Sequence, residues 1–127
     1  AAKLEHPQRD VICLAGDGCF QMTMQEFGTA RQYGLKIIVI VVNNGVYGTI
    51  RMHQQREYPG RPSATTMINP DFAAFAASYG CLGEIVTKTE DFAPAFARAR
   101  AADVSTLIEL RTDPSAVTPR TPALRMV

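Results

Sequence analysis

Two short clusters in this sequence carry residue types suited to chemistry. Gly16-Asp17-Gly18 sets one carboxylate between two glycines, and Asn43-Asn44-Gly45 sets two side-chain amides ahead of a third glycine. Carboxylate and amide oxygens are hard donors of the kind magnesium prefers. That ion is often held by one or two protein groups, with phosphate oxygens and water completing its shell. Asp17 would supply charge and Asn44 a neutral oxygen, and a backbone carbonyl just beyond, near Val46, would make a third ligand. Gly16 and Gly18 let the backbone pass close to a ligand with amides free to point at phosphate. Taken singly, each cluster is also a plain turn former.

What raises the pair above two turns is the set of elements around it. Val11-Ile12-Cys13-Leu14-Ala15 and the β-branched run Ile37 to Val42 suit strands buried on both faces of a parallel sheet. Leu107-Ile108-Glu109-Leu110 is a third strand candidate and Leu82 to Val86 a weaker fourth. Helix signals fall between them. Thr23-Met24-Gln25-Glu26 has the form of a capping box, with Met24, Phe27 and Ala30 as its apolar face and Gly34 as a left-handed stop. A helix starting there would aim its amides and dipole at the same region. Asn69-Pro70 reads as N-cap and first helical residue, followed by a stripe of Phe72, Phe75, Ala76 and Tyr79 ending at Gly80. Thr89 is placed to cap a further helix through Phe92, Phe96 and Ala99.

Helices alternating with buried strands imply right-handed β-α-β crossovers and an α/β fold, a three-layer α/β/α arrangement on a mostly parallel sheet. Open sheets of this class bind ligands beyond the carboxyl ends of their strands. Both clusters sit at such ends, separated by the 24 residues from Cys19 to Val42. If the two strands are neighbours, their ends lie about 5 Å apart, and Asp17 and Asn44 can converge on one small cation.

This order of features resembles the cofactor motif of thiamine diphosphate-dependent enzymes, in which G-D-G is followed some two dozen residues later by N-N. The flanks are similar too. Cys19 to Phe27, Asn43-Asn44-Gly45-Val46-Tyr47-Gly48-Thr49-Ile50-Arg51, Asn69-Pro70-Asp71-Phe72 and Tyr79-Gly80 all resemble the acetolactate synthase and benzoylformate decarboxylase group. The resemblance implies that Asp17, the Asn44 side chain and the Val46 carbonyl ligate Mg2+. It implies that Gly18 and Cys19 contact the diphosphate, and that Tyr47, Gly48 and Thr49 line the other side. Cys19 stands where many relatives carry a small or hydroxylic residue, and we assign it to packing. His53, where acetolactate synthases often carry Trp, is expected on a helix surface, and His6 is expected to be solvated.

The same resemblance implies what lies elsewhere. The glutamate that touches the aminopyrimidine ring belongs to the pyrimidine-binding domain of a second subunit, so no catalytic residue is expected in this chain. Residues 1–127 are expected to be the C-terminal part of a diphosphate-binding domain from a longer enzyme, with Ala1 to Arg9 the end of a helix and its turn. The activity implied is decarboxylation or carboligation of a small 2-oxo acid, acetolactate synthase-like or benzoylformate decarboxylase-like, in a homo-oligomer (dimer or tetramer). A reading from another class is a non-catalytic phosphate-binding or assembly module. A dinucleotide fold is disfavoured because Gly16-x-Gly18 is followed by Met22 rather than a third glycine, and a P-loop lacks its G-K-[ST].

The bulk composition agrees. At 127 residues the chain is one domain's worth and buries roughly two-thirds of its unfolded surface. Thirteen basic residues against 12 acidic ones give no electrostatic reason to expect nucleic acid or an anionic membrane. The longest aliphatic run, Ile37 to Val42, is far short of the roughly 20 residues of a membrane helix. Cys13, Cys19 and Cys81 are odd in number and show no C-x-x-C spacing, which favours a reducing cytoplasm over a disulfide framework or zinc site. Arg56 to Asn69 reads as a surface loop, and Asp113 to Pro122 as a tail ordered by a partner.

Overall fold

Four aliphatic segments build the sheet: β1 (Ile12–Gly16), β2 (Ile38–Asn43), β3 (Leu82–Val86) and β4 (Thr106–Arg111). All neighbours are parallel, in the order β1-β2-β4-β3. Around them lie α1 (Ala2–Glu5), α2 (Asp17–Thr23), α3 (Glu26–Gln32), α4 (Gly48–Glu57), α5 (Phe72–Ser78) and α6 (Thr89–Ala101). The computed structural model describes residues 1–116, so most of the expected tail lies outside the described residues.

Alternation along the central strands sorts the core into two faces. Val39, Val41 and Leu107 pack against Phe20, Phe27, Phe72 and Ala76 of α2, α3 and α5. Ile38, Ile40 and Ile108 pack with Val86 against Ala95 and Ala99 of α6. This is the expected three-layer α/β/α architecture. The first face is fastened by aromatic pairs, Phe20 with Phe72 at 5.7 Å and Phe75 with Tyr79 at 5.4 Å between ring centroids. Such pairs add about 0.5–1.5 kcal/mol beyond the area they bury. Burial also pushes the Cys81 thiol above its ordinary pKa.

Among the described residues β1 is an edge strand. Its register pairs Ile12 with Ile38 and Leu14 with Ile40, so both point to the face that α6 covers. α6 lies chiefly over β3 and β4 and reaches β2 at Ile38 and Ile40, which leaves Leu14 of β1 71% exposed.

Three helix starts differ from the sequence reading. Thr23 is not an N-cap but the last residue of α2, which begins already at Asp17. Met24 and Gln25 keep right-handed helical dihedrals between α2 and α3. An N-cap needs an extended residue, so Thr23 has no cap to make, and Glu26 instead accepts from the Thr29 hydroxyl at 2.8 Å. The helix expected from Asn69-Pro70 is capped by Asp71, whose Oδ1 accepts from the Ala74 amide at 2.8 Å. Thr89 is the first residue of α6, and Lys88 precedes it without a side-chain cap. The stops are as expected: Gly34 and Gly80 take φ of +62° and +67°, a region costly for any residue with a Cβ.

Candidate cofactor site

β1 and β2 are adjacent and in register, with Gly16 opposite Val42, so the two clusters meet at the carboxyl edge of the sheet. Between them opens a cleft of about 420 Å³, lined by Gly16, Asp17, Gly18, Cys19 and Met22 on one side and by Val42, Asn44, Val46, Tyr47, Gly48, Thr49 and Ile50 on the other. Its size is in the range of small-molecule sites. The structure thus gathers Asp17, Gly18, Cys19, Asn44, Val46, Tyr47, Gly48 and Thr49 around one cavity. Cys19, expected to serve packing, is instead exposed on the cleft wall, one residue away from the buried Gly18 and Phe20 that face the core side of α2. His53 is exposed on α4, with Nδ1 3.0 Å from Arg56 Nη2, and His6 is exposed.

Asp17 is only 4% exposed. Its Oδ1 accepts from the Gly18 amide at 2.9 Å, and its Oδ2 accepts from the Gly45 amide at 2.9 Å and from Asn69 Nδ2 at 2.7 Å. A carboxylate offers about four lone-pair sites, so three bonds leave room for one more ligand. The Gly18 amide is thereby committed to Asp17 rather than left free.

The asparagine pair ends β2 in two consecutive Asx turns. Asn43 Oδ1 accepts from the Gly45 amide at 3.1 Å, and Asn44 Oδ1 accepts from the Val46 amide at 3.1 Å. Gly45 closes this turn at φ +66°, where a side chain would be strained. The Val46 carbonyl accepts from the Gly48 amide at 2.9 Å, and α4 follows at once. The loop between α4 and α5 is tied down beside it, by Tyr47 N to Thr65 O at 2.9 Å and Met67 N to Gly45 O at 2.8 Å.

The glycines have separate reasons. A Cβ on Gly18 would come within 2.8 Å of Tyr47 Cε1, so this glycine lets the Tyr47 ring close on the helix start. A Cβ on Gly16 would meet no protein atom within 4 Å, and Gly16 has an ordinary extended backbone. Its missing side chain serves only the space of the cleft. We therefore expect Gly16→Ala to leave thermal stability unchanged or raised by about 0.4–1 kcal/mol, through a less mobile unfolded chain, while weakening whatever occupies the cleft. Parallel melting and ligand titration would check both halves.

Residues 1–110 match the family model of the thiamine pyrophosphate enzyme C-terminal TPP binding domain. The chain belongs to this family. It is 46% identical over 90 residues to the acetolactate synthase large subunit of Haemophilus influenzae, covering 69% of this chain and 16% of that protein. To the acetolactate synthase large subunit of Corynebacterium glutamicum it is 41% identical over 104 residues, 78% of this chain and 17% of that one. Among solved structures, a thiamine diphosphate-dependent 4-hydroxybenzoylformate decarboxylase from Rhodococcus jostii RHA1 superposes with a TM-score of 0.80 at 38% identity, covering 88% of this chain and 21% of that one. The chain therefore spans about a fifth or less of the length of these relatives.

The donor chemistry of this TPP-binding domain fits a metal-bound diphosphate. Asp17, Asn44 and Val46 all line one cleft and carry oxygen atoms of the kind such a metal takes, and among the described residues no group of three or more His, Cys, Asp and Glu forms a metal site by itself. One carboxylate is a weak hold for a bare divalent ion but is enough where phosphate oxygens complete the shell.

Four residues of the site escape the sequence reading. Met22 and Ile50 line the cleft as apolar wall. Asn69 looks like a helix cap and serves Asp17 instead. Glu109 looks like an exception in an apolar strand, yet it is 1% exposed and accepts from Asn43 Nδ2 at 2.7 Å. A charged residue inside a buried run is itself the signal that finds it, because such a residue is not buried without a partner.

Proposed function

We propose that this chain holds the Mg2+–diphosphate end of thiamine diphosphate in a 2-oxo acid decarboxylase or carboligase, acetolactate synthase-like. Asp17, Asn44 Oδ1 and the Val46 carbonyl would hold the metal. Gly18 and Cys19 would face the diphosphate, with Tyr47, Gly48 and Thr49 opposite. When bound, the cofactor supplies the carbanion stabilisation that 2-oxo acid chemistry needs. The residues of this chain bind it, orient it and wall it from water.

The observation that carries this reading is the charge of the cleft wall. It contains one carboxylate and, among the described lining residues, no Lys or Arg. A diphosphate would be repelled there unless a cation bridged it to Asp17. Binding is therefore expected to be metal-dependent, and the test is calorimetry of thiamine diphosphate with the full-length protein, in Mg2+ and in EDTA. We expect at least about a 100-fold loss of affinity without metal, the scale of close charge pairing in a poorly solvated site. Equal affinity in both would overturn the reading.

The residues 1–127 are read as the C-terminal part of the diphosphate-binding domain of a longer homo-oligomeric enzyme. Its activating glutamate would come from the pyrimidine-binding domain of a second subunit. The apolar rim supports this: Met22, Tyr47 and Ile50 are 71%, 42% and 55% exposed at the cleft, with nothing from the described chain over them. Three free cysteines accord with a cytoplasmic setting. Among the described residues no helix is long and apolar enough to cross a membrane. The likeness to the Rhodococcus decarboxylase favours a second reading, decarboxylation of an aromatic 2-oxo acid. Product analysis with pyruvate and with an aromatic 2-oxo acid separates the two.

A further inference from the structure

We infer that Glu109 is a positioning residue that sets the Asp17 carboxylate for its metal through Asn43 and Asn69. The inference rests on the proposed metal role of Asp17. Strand parity places the first link. Val39, Val41 and Asn43 alternate onto one face of β2, and Leu107 and Glu109 onto the same face of β4, with Val41 opposite Glu109 and Asn43 opposite Arg111. Asn43 and Glu109 are thus diagonal neighbours, and Asn43 Nδ2 donates to Glu109 Oε1 at 2.7 Å. Asn69 Nδ2 donates to Asn43 Oδ1 at 2.7 Å and to Asp17 Oδ2 at 2.7 Å. Asn69 Oδ1 accepts from Gln21 Nε2 at 2.8 Å.

The polarity of every link is forced. The Gly45 amide can only donate, so Asn43 must turn Oδ1 toward it and Nδ2 toward Glu109. Asn69 then faces two acceptors, Asn43 Oδ1 and Asp17 Oδ2, so its NH2 group must serve both. A reversal anywhere in the chain would set donor against donor or acceptor against acceptor. The two asparagines of the N-N pair therefore do different work: Asn44 lines the cleft, and Asn43 turns inward to hold the carboxylate's support.

Glu109 is an expensive anchor. It is 1% exposed, its Oε1 also accepts from Arg111 Nε at 3.1 Å, and its Oε2 has no hydrogen-bond partner among the described residues. An apolar residue would suit the buried strand better, because removing a carboxylate from water costs more than such contacts return. What the carboxylate supplies in exchange is a fixed acceptor for Asn43.

The test uses the full-length enzyme with Mn2+ as probe, its dissociation constant read by electron paramagnetic resonance at saturating thiamine diphosphate. Glu109→Leu is expected to raise that constant about 10- to 100-fold, the range found for partners that orient metal ligands. Turnover should recover at saturating metal. Glu109→Gln, which keeps an oxygen facing Asn43, is expected to restore affinity close to the unsubstituted enzyme. Melting of the metal-free enzyme separates folding from positioning. Should Glu109→Leu fail to fold, Asn69→Ala on the loop breaks the same chain outside the sheet and is expected to weaken Mn2+ similarly. Unchanged Mn2+ affinity in the folded variant, with Asp17→Ala abolishing it, would overturn the positioning role alone. Unchanged affinity in Asp17→Ala as well would overturn the metal reading beneath it.

Discussion

Asp17→Ala in the full-length enzyme is expected to abolish measurable Mg2+-dependent binding of thiamine diphosphate. The loss should exceed the roughly 10- to 100-fold typical of an outer partner, because Asp17 is the one charged group among the described residues that line the cleft. The same substitution should also lower stability. Three N–H donors, from Gly18, Gly45 and Asn69, converge on this carboxylate. Each donor left buried and unpaired costs about 1–3 kcal/mol, less where water enters from the cleft. The Gly45 amide keeps Asn43 Oδ1 as a second acceptor at 3.1 Å, so the cost falls mainly on the Gly18 and Asn69 donors. Asp17→Asn tests the argument more finely. It preserves shape but offers one acceptor oxygen in place of two, and its NH2 must then face either the Gly18 amide or the Gly45 and Asn69 donors. We expect Asp17→Asn to lose metal affinity and to melt below the unsubstituted protein. Calorimetry and thermal unfolding of both variants give the two readouts. An Asp17→Asn protein with full stability would mean that the Gly18 and Asn69 donors, like the Gly45 amide, have other acceptors in solution.

How far this arrangement was legible in the sequence depended on the range of the interaction. Apolar runs and glycine stops report local physics, and they placed all four strands and the Gly34 and Gly80 caps within a residue or so of where the structure has them. The N-termini of helices were less readable. Thr23, Asn69 and Asp71 are all good capping types, but only Asp71 makes a cap. Asn69 is claimed by Asp17 and Asn43, partners far away in sequence, and long-range hydrogen bonds override a local propensity worth about 1 kcal/mol. Thr23 has no cap to make because the chain never leaves helical dihedrals before Glu26.

The candidate site follows the same rule. Its polar wall was legible because its residues are contiguous in two short clusters at strand ends, where the fold class puts ligands, while the apolar Met22 and Ile50 further along the helices carried no such signal. Its support was not, because Asn43, Asn69 and Glu109 come from three separate elements. Only strand pairing shows that Asn43 and Glu109 share a face. Family membership names the cofactor but not this support, which emerges from the hydrogen bonds alone.

Gly83 is the extreme case of a residue silent in sequence, and it carries the second large prediction. It lies in β3 opposite Leu107, on the face packed by α5. A Cβ there would sit 2.3 Å from the carbonyl oxygen of Ala73, 2.7 Å from its Cα and 2.8 Å from its carbonyl carbon. These are backbone atoms of α5, which cannot swing aside as a side chain can. Gly83→Ala must therefore displace the helix or the strand, at the upper end of the roughly 1–3 kcal/mol usual for overpacking. For a domain of this size that corresponds to a fall in melting temperature on the order of 10 °C. The effect should reach the site. α5 begins just beyond Asn69 and Asp71, so pushing it outward draws Asn69 Nδ2 away from Asp17 Oδ2. We expect Gly83→Ala to weaken Mg2+–thiamine diphosphate binding even below its melting point, whereas Gly16→Ala should weaken binding with no loss of stability. Equal melting temperatures for Gly83→Ala and the unsubstituted protein would show that α5 can yield at Ala73 without cost, and the close helix–strand contact would then not be what requires glycine there.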